Sequence, residues 1–192
     1  MNIKTRGILS FILVFTLALN NLFAADIKQI LDDLKGQKGL IIEFKSNDIA
    51  YTIKSLDAKY TLKSTSIDIL YDGEDLYTYN RENNELTIER LSSQNIMTNP
   101  TLIFDLDNAQ FLFKTNGDIH TITPKDIDQI GLEKIIIETA GENSIKSISL
   151  FPISSDEIKL DITSLKKENN IDTKEFKYNK SNYPNAEIID FR

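Results

Sequence analysis

Beyond residue 40 the chain alternates apolar and polar positions with a period of two, the pattern of strands that bury one face. Ile158, Leu160 and Ile162 alternate with Lys159, Asp161 and Thr163. Ile67, Ile69 and Tyr71 do the same just before the turn signal Asp72-Gly73. Leu76–Tyr79 and Glu85–Arg90 flank the polar run Asn80-Arg81-Glu82-Asn83-Asn84, which predicts a hairpin. Further strands are predicted over Leu40–Lys45, Ile49–Leu56, Lys59–Ser64, Phe111–Thr115, Ile119–Thr123, Leu132–Thr139, Ile145–Leu150 and Lys174–Tyr178. Polar turns separate most of them, among them Thr115-Asn116-Gly117-Asp118 and Ala140-Gly141-Glu142-Asn143. Such a series predicts a meandering antiparallel sheet curled into a sandwich or barrel.

Two segments follow a helical rhythm instead. Ile27, Ile30, Leu31 and Leu34 share one face, with Asp26 and Gln29 placed as a capping box and Gly36 and Gly39 at the end. Ser92–Asn108 has no alternation; Asn99 can cap a short helix that Pro100 opens, with Leu102, Ile103 and Leu106 on one face. That insertion reads either as a cover over one end of a barrel or as a crossover packed into the core.

The first 24 residues read as a secretory signal. Lys4 and Arg6 precede an apolar run from Ile8 to Leu19, and Leu22-Phe23-Ala24 offers a cleavage site before Ala25. The run is shorter than the roughly 20 residues that span a bilayer. Residues 25–192 are then expected to form a single domain with 20 basic and 29 acidic side chains, a net charge of −9. That balance gives no footprint for nucleic acid and repels anionic headgroups. The sequence contains no cysteine, which excludes disulfides, thiolate metal sites, a cysteine nucleophile and an acylated cysteine on this chain.

Little in the sequence points to catalysis. His120 is the only histidine and falls in a predicted strand, where a structural role is expected. No phosphate-binding glycine loop or nucleophile elbow is present. A carboxylate pair of the glycosidase kind stays open as a less favoured reading, an envelope hydrolase. The expectation is a protein without enzymatic activity, metal or cofactor. Phe44, Phe104, Phe111, Phe113, Phe151, Phe176 and seven tyrosines lie on or beside the predicted strands and the insertion. An open barrel could keep part of that surface as an apolar cavity.

Tyr71-Asp72-Gly73-Glu74-Asp75-Leu76-Tyr77-Thr78-Tyr79-Asn80 resembles a signature of the LolA family, the periplasmic carriers of lipoproteins. Asn84-Glu85-Leu86-Thr87-Ile88 is similar to the strand that follows in that family, and Asn99-Pro100 to the opening of its lid helix in the Bacteroidetes-type branch. Ile122-Thr123-Pro124-Lys125 and the segment Tyr183-Pro184-Asn185-Ala186-Glu187-Ile188-Ile189-Asp190-Phe191-Arg192 also resemble that branch, in the same order. The sequence departs at Tyr77, where the family usually has tryptophan. It departs again at Asp57-Ala58-Lys59-Tyr60, where the proteobacterial carriers have the arginine that holds the lid closed.

The resemblance implies an unclosed antiparallel β-barrel, a LolA-like half-barrel with an N-terminal helix and a short helical lid. It implies a monomeric periplasmic chaperone that takes acylated lipoproteins from an inner-membrane ABC transporter. The cargo would pass to an outer-membrane acceptor. A periplasmic carrier or sensor of free lipid is the alternative. Guided by the family aromatic at Tyr77, the expected lipid-facing set is Ile69, Tyr77, Tyr79, Leu86 and Ile88, with Leu102, Ile103 and Leu106 of the lid opposite.

Overall fold

The computed structural model describes residues 27–35, 39–91, 96, 98–141 and 144–192. The expected signal, its cleavage site, the capping Asp26 and Gly36 lie outside the described residues.

Helix α1 spans Ile27–Lys35 and buries Ile27, Ile30, Leu31 and Leu34, the apolar stripe of the sequence. Twelve strands follow among the described residues. They are β1 (Gly39–Ser46), β2 (Ile49–Leu56), β3 (Lys59–Lys63), β4 (Ile67–Tyr71), β5 (Asp75–Asn80), β6 (Glu85–Arg90), β7 (Phe111–Asn116), β8 (Ile119–Pro124), β9 (Leu132–Thr139), β10 (Ile145–Pro152), β11 (Ile158–Lys167) and β12 (Glu187–Asp190). A one-turn helix, α2 (Ile127–Ile130), joins β8 to β9. All these strands form one sheet in the order β12-β6-β5-β4-β3-β2-β1-β11-β10-β9-β8-β7. The end strands β12 and β7 have no pairing with each other, so the protein is an unclosed β-barrel.

Turn chemistry sets the register of the hairpin at the sequence signature. Asp72 Oδ1 accepts from the backbone N–H groups of Glu74 and Asp75 at 3.0 and 2.9 Å. Gly73 takes φ +106°, a conformation that disfavours side chains with a Cβ. Alternation then decides the faces. Leu40, Ile42 and Phe44 of β1 stand opposite Ser55, Ile53 and Tyr51 of β2; the inner face continues through Tyr60 and Leu62 to Tyr71 and Ile69. On the other side it runs through Ile162, Leu160, Ile148 and Ile137 to His120 and Ile122. This face, α1 and the buried Ile96, Ile103, Phe104 and Leu106 enclose the main core.

Three expectations are corrected. The pairing is not wholly antiparallel, because β12 runs parallel to β6. After β11 the chain crosses the outer face and returns to the β6 edge in that direction. The strand expected over Lys174–Tyr178 is instead a 3-10 turn, Thr173–Phe176, whose cap is Asp172 and whose Phe176 is driven fully into the outer face. Gly39 opens β1 rather than ending α1: its carbonyl accepts from Glu168 N–H at 3.0 Å, and a side chain there would meet the Glu168 carbonyl.

Candidate functional site

The inner face is not completely filled. Between β1–β5, the ends of β10 and β11, and the segment that covers them lies an apolar cavity of about 320 Å³. Its walls are Phe44, Tyr51, Leu62, Ile69, Leu76, Leu150, Ile158 and Leu160, with Tyr60 and Ser46 at the margins. Ile96, Thr98 and Pro100 form the cover. None of the described lining side chains carries a charge. Phe44 and Tyr51 stack at 5.1 Å with planes 9° apart, which stiffens one wall.

The cover continues into a 3-10 helix, Pro100–Asp105. Its N-cap is Asn99, which accepts from the backbone N–H of Thr101 at 3.1 Å, and Pro100 takes the first position, where no donor is lost. Besides the buried Ile103 and Phe104, polar contacts hold this segment down. Lys35 of α1 reaches Asp105 at 2.7 Å, and the Tyr60 hydroxyl donates to the Thr98 carbonyl. Tyr60 is buried, and burial together with the neighbouring Tyr71 pushes its phenol up to about 12. The exposed Lys35–Asp105 pair contributes little in water. A neutral phenol thus ties the cover to the sheet.

The expected lipid-facing set is split between two surfaces. Ile69 lines the cavity. Ile103 and Leu106 are buried in the main core, Leu102 packs against it, and none of the three lines this cavity. Tyr77, Tyr79, Leu86 and Ile88 point the other way. Ile69 pairs with Thr78, whereas Leu70 pairs with Tyr77, Tyr77 with Ile88 and Tyr79 with Leu86. Leu70, Tyr77, Leu86, Ile88 and Phe176 form a second buried cluster on the outer face, with Tyr79, Ile171, Tyr178 and Tyr183 packed against it. The chain after β11 lies over this cluster like a strap. Tyr77 stacks on Tyr178 at 4.6 Å and Tyr79 meets Tyr183 at 4.9 Å.

The same strap closes an ionic network. Asp75, with only 6% of its side chain exposed, accepts from Arg90 at 3.1 Å and from Arg192 at 2.8 Å. Burial works to raise the Asp75 carboxyl, but the hydrogen bonds from Arg192 and Arg90 outweigh it and hold it below the usual value. Arg192 also holds the Asp190 carboxyl at about 2 through side-chain and backbone hydrogen bonds. The two longest stretches of the resemblance, Tyr71–Asn80 and Tyr183–Arg192, therefore bind each other, and of the two Tyr71–Asn80 also reaches the cavity, through Leu76. Among the described residues no group of three or more acidic or histidine side chains is gathered to hold a metal. His120 is buried between Thr115 and Thr139, at 3.0 and 3.2 Å.

The fold is similar to a crystal structure of an uncharacterized conserved protein from Thermus thermophilus. The TM-score is 0.52 at 11% identity, covering 85% of this chain and 98% of that one. At that identity the likeness speaks to fold alone. A DUF1329 family protein from Desulfovibrio piger superposes with a TM-score of 0.42 at 9% identity, over 80% and 95% of the two chains, too loosely to carry weight. No protein-family model and no curated protein matches the sequence.

The cavity walls missed by sequence reasoning are mostly on strands whose alternation was visible. Ile158 and Leu160 stand out as an apolar set, but which strand faces theirs is a long-range fact. At β5 the sequence is ambiguous, because Leu76 faces the cavity while Tyr77 and Tyr79 face the strap. Both faces of that strand are covered, so no polar side marks the outside.

Proposed function

We propose that this protein is a periplasmic carrier of the LolA kind, which holds the acyl chains of lipoproteins in the cavity under the Thr98–Asp105 cover. The observation that carries the reading is the uncharged aliphatic and aromatic cavity, roofed by a short segment. Its size is at the lower end of the roughly 300–1,000 Å³ usual for small-molecule pockets, so cover and cargo compete for space. A six-residue 3-10 helix has little stability of its own and is held by its contacts. An acyl chain that displaces it exchanges protein contacts for its own burial, worth about 0.8 kcal/mol per methylene.

In this reading the carrier makes and breaks no covalent bond. An inner-membrane ABC transporter loads it, the acidic surface keeps it off anionic lipid, and an outer-membrane acceptor takes the cargo by binding it more favourably. The chain acts as a monomer, without metal or cofactor.

The test is purification without detergent from an envelope fraction, followed by mass spectrometry of what remains bound. Acylated proteins should be recovered with the wild type and lost with Leu62→Glu, which puts a charge on the cavity wall. Recovery of free lipid without acylated protein would favour a free-lipid carrier. Recovery of neither would overturn the reading.

A further inference from the structure

Strands β4 and β5 divide the two apolar compartments. Ile69 and Leu76 line the cavity, while their chain neighbours Leu70 and Tyr77 are buried on the outer face beneath the strap. Successive side chains of a strand point to opposite faces, so a single peptide unit separates cavity wall from strap. The last strand of the strap, β12, is short, and three of its four side chains are exposed. It is fastened beside that wall. Arg192 reaches one oxygen of Asp75, the residue before Leu76, at 2.8 Å, and Arg90 of β6 reaches the other at 3.1 Å. Backbone N–H groups of Glu187 and Phe191 donate to the carbonyls of Asn84 and Ile88, both at 2.9 Å, and complete the seam on β6. The other end of the strap carries a penalty. Asp68 of β4 shares the outer face with its register partner Tyr79, on which Tyr183 packs. The Asp68 side chain is 14% exposed, and Arg81 holds its Oδ2. Its Oδ1 is buried and finds no donor among the described residues. Burial and the Asp68 carboxylate both raise the Tyr183 phenol, which sets ring and carboxylate close together. A buried carboxylate oxygen without a donor costs free energy, and water would restore it once Tyr183 moved away. Asp75 thus favours the closed strap, and Asp68 opposes it.

We propose that Tyr183–Arg192 is a clamp on the acyl cavity: fastened, it fixes the Leu76 wall and retains the chain; lifted, it lets the wall give and the chain leave. The proposal rests on the carrier reading and adds a control on release to it. With β12 in place, β6 is paired on both sides, and the β5–β6 hairpin is held at its outer edge as well as by β4. With β12 lifted, β6 is the edge of the sheet and the hairpin is held by β4 alone. An element with fewer packed partners opens more readily. Leu76 belongs to that hairpin, so the cavity wall moves with it.

Stopped-flow release of a fluorescent palmitoyl probe, chased with unlabelled palmitoyl competitor, tests this. Arg192→Ala removes the fastening, and because that side chain is 35% exposed the core stays filled. Release should quicken about tenfold, the scale of one charge-assisted hydrogen bond, with amide protection in β1 and β11 unchanged. A lock should act in the opposite direction. Thr87 and Ile189 are register partners across the seam. Neighbouring strands lie about 4.8 Å apart, within the roughly 4.4–6.8 Å that a disulfide spans. The sequence has no cysteine of its own, so the double variant Thr87→Cys/Ile189→Cys can form only this bridge within the chain. Its oxidised form should release the probe at least about fivefold more slowly than the same protein reduced, because release passes through the lifted strap. Equal rates from the oxidised and reduced forms, or a wild-type rate from Arg192→Ala, would overturn the clamp and leave the carrier reading intact. Quickened release accompanied by lost protection in β1 and β11 would show a merely structural role for Arg192 and overturn the clamp as well. Failure of the wild type to bind the probe would overturn both.

Discussion

Tyr60 shows how one side chain can serve two surfaces. Its ring packs against Tyr71 at 5.9 Å within the inner face, while its hydroxyl reaches Thr98 of the cover. Tyr60→Phe keeps the ring and removes the tie. We expect a loss of about 1 kcal/mol in stability, the net value of such a bond. Amide exchange over Thr98–Asp105 should quicken about fivefold at unchanged protection in β1 and β11. Uniform quickening across the sheet would show that Tyr60 is only a core residue. The raised phenol makes the sign of the alkaline response clear. The folded form keeps its proton to about pH 12, so its contribution is full below the unfolded value of about 10 and is lost as pH rises beyond it. His120 is the opposite case, a buried polar residue that does not line the cavity. His120→Ala removes a hydrogen-bond partner from the Thr115 and Thr139 hydroxyls, the latter keeping Asp118, and should cost about 2 kcal/mol or more by thermal melting. Its affinity for an acyl probe should not change; a large loss of binding at unchanged stability would contradict the structural role.

The strap is the element that most alters the picture drawn from sequence. It enters where Glu168 bonds Gly39, buries Phe176, stacks Tyr178 on Tyr77 and ends as β12 beside β6. Its ionic anchor is Arg192 on Asp75. Because the Asp75 and Asp190 carboxyls are depressed on folding, their contribution is present above the unfolded value of about 3.9. It is lost as pH falls below that value, for Asp190 toward about 2. The ring-current shift of Tyr178 should therefore persist down to about pH 4 and fade below it. Asp75→Asn should reduce that shift already at neutral pH and quicken tryptic cleavage at the exposed Lys177 and Lys180. An unchanged shift in the variant would mean that stacking alone holds the strap. The sequence signals for this element were all present: Asp72-Gly73, the tyrosine pair 77 and 79, and Tyr183–Arg192. What they could not disclose is that they face one another across roughly a hundred residues, with a parallel strand at the contact. Phe176 was legible as apolar, but a lone buried side chain on a 3-10 turn has no period to announce it.

At the scale of the molecule, the period-two pattern was enough for β1 to β11 and for a sheet curled into a sandwich or barrel, while β12 and the unclosed edge were not in it. It works where each inner-facing residue meets an apolar neighbour while its outer neighbour meets water. That logic holds for β1, β2 and β11. It fails for β4 and β5, which are covered on both faces and carry apolar residues at both parities. The cavity and the strap cluster are therefore separate apolar compartments on opposite faces of one sheet, and of the two the inner one has the room. The most direct measurement is photocrosslinking with a palmitoyl probe carrying a diazirine near the chain terminus, mapped by peptide mass spectrometry. The account predicts labels on Leu62, Ile69, Leu76 and Leu160, reduced by unlabelled palmitoyl competitor, and none on Tyr77, Leu86 or Ile88. Labelling of the tyrosine face, or labelling spread evenly over both faces, would contradict it.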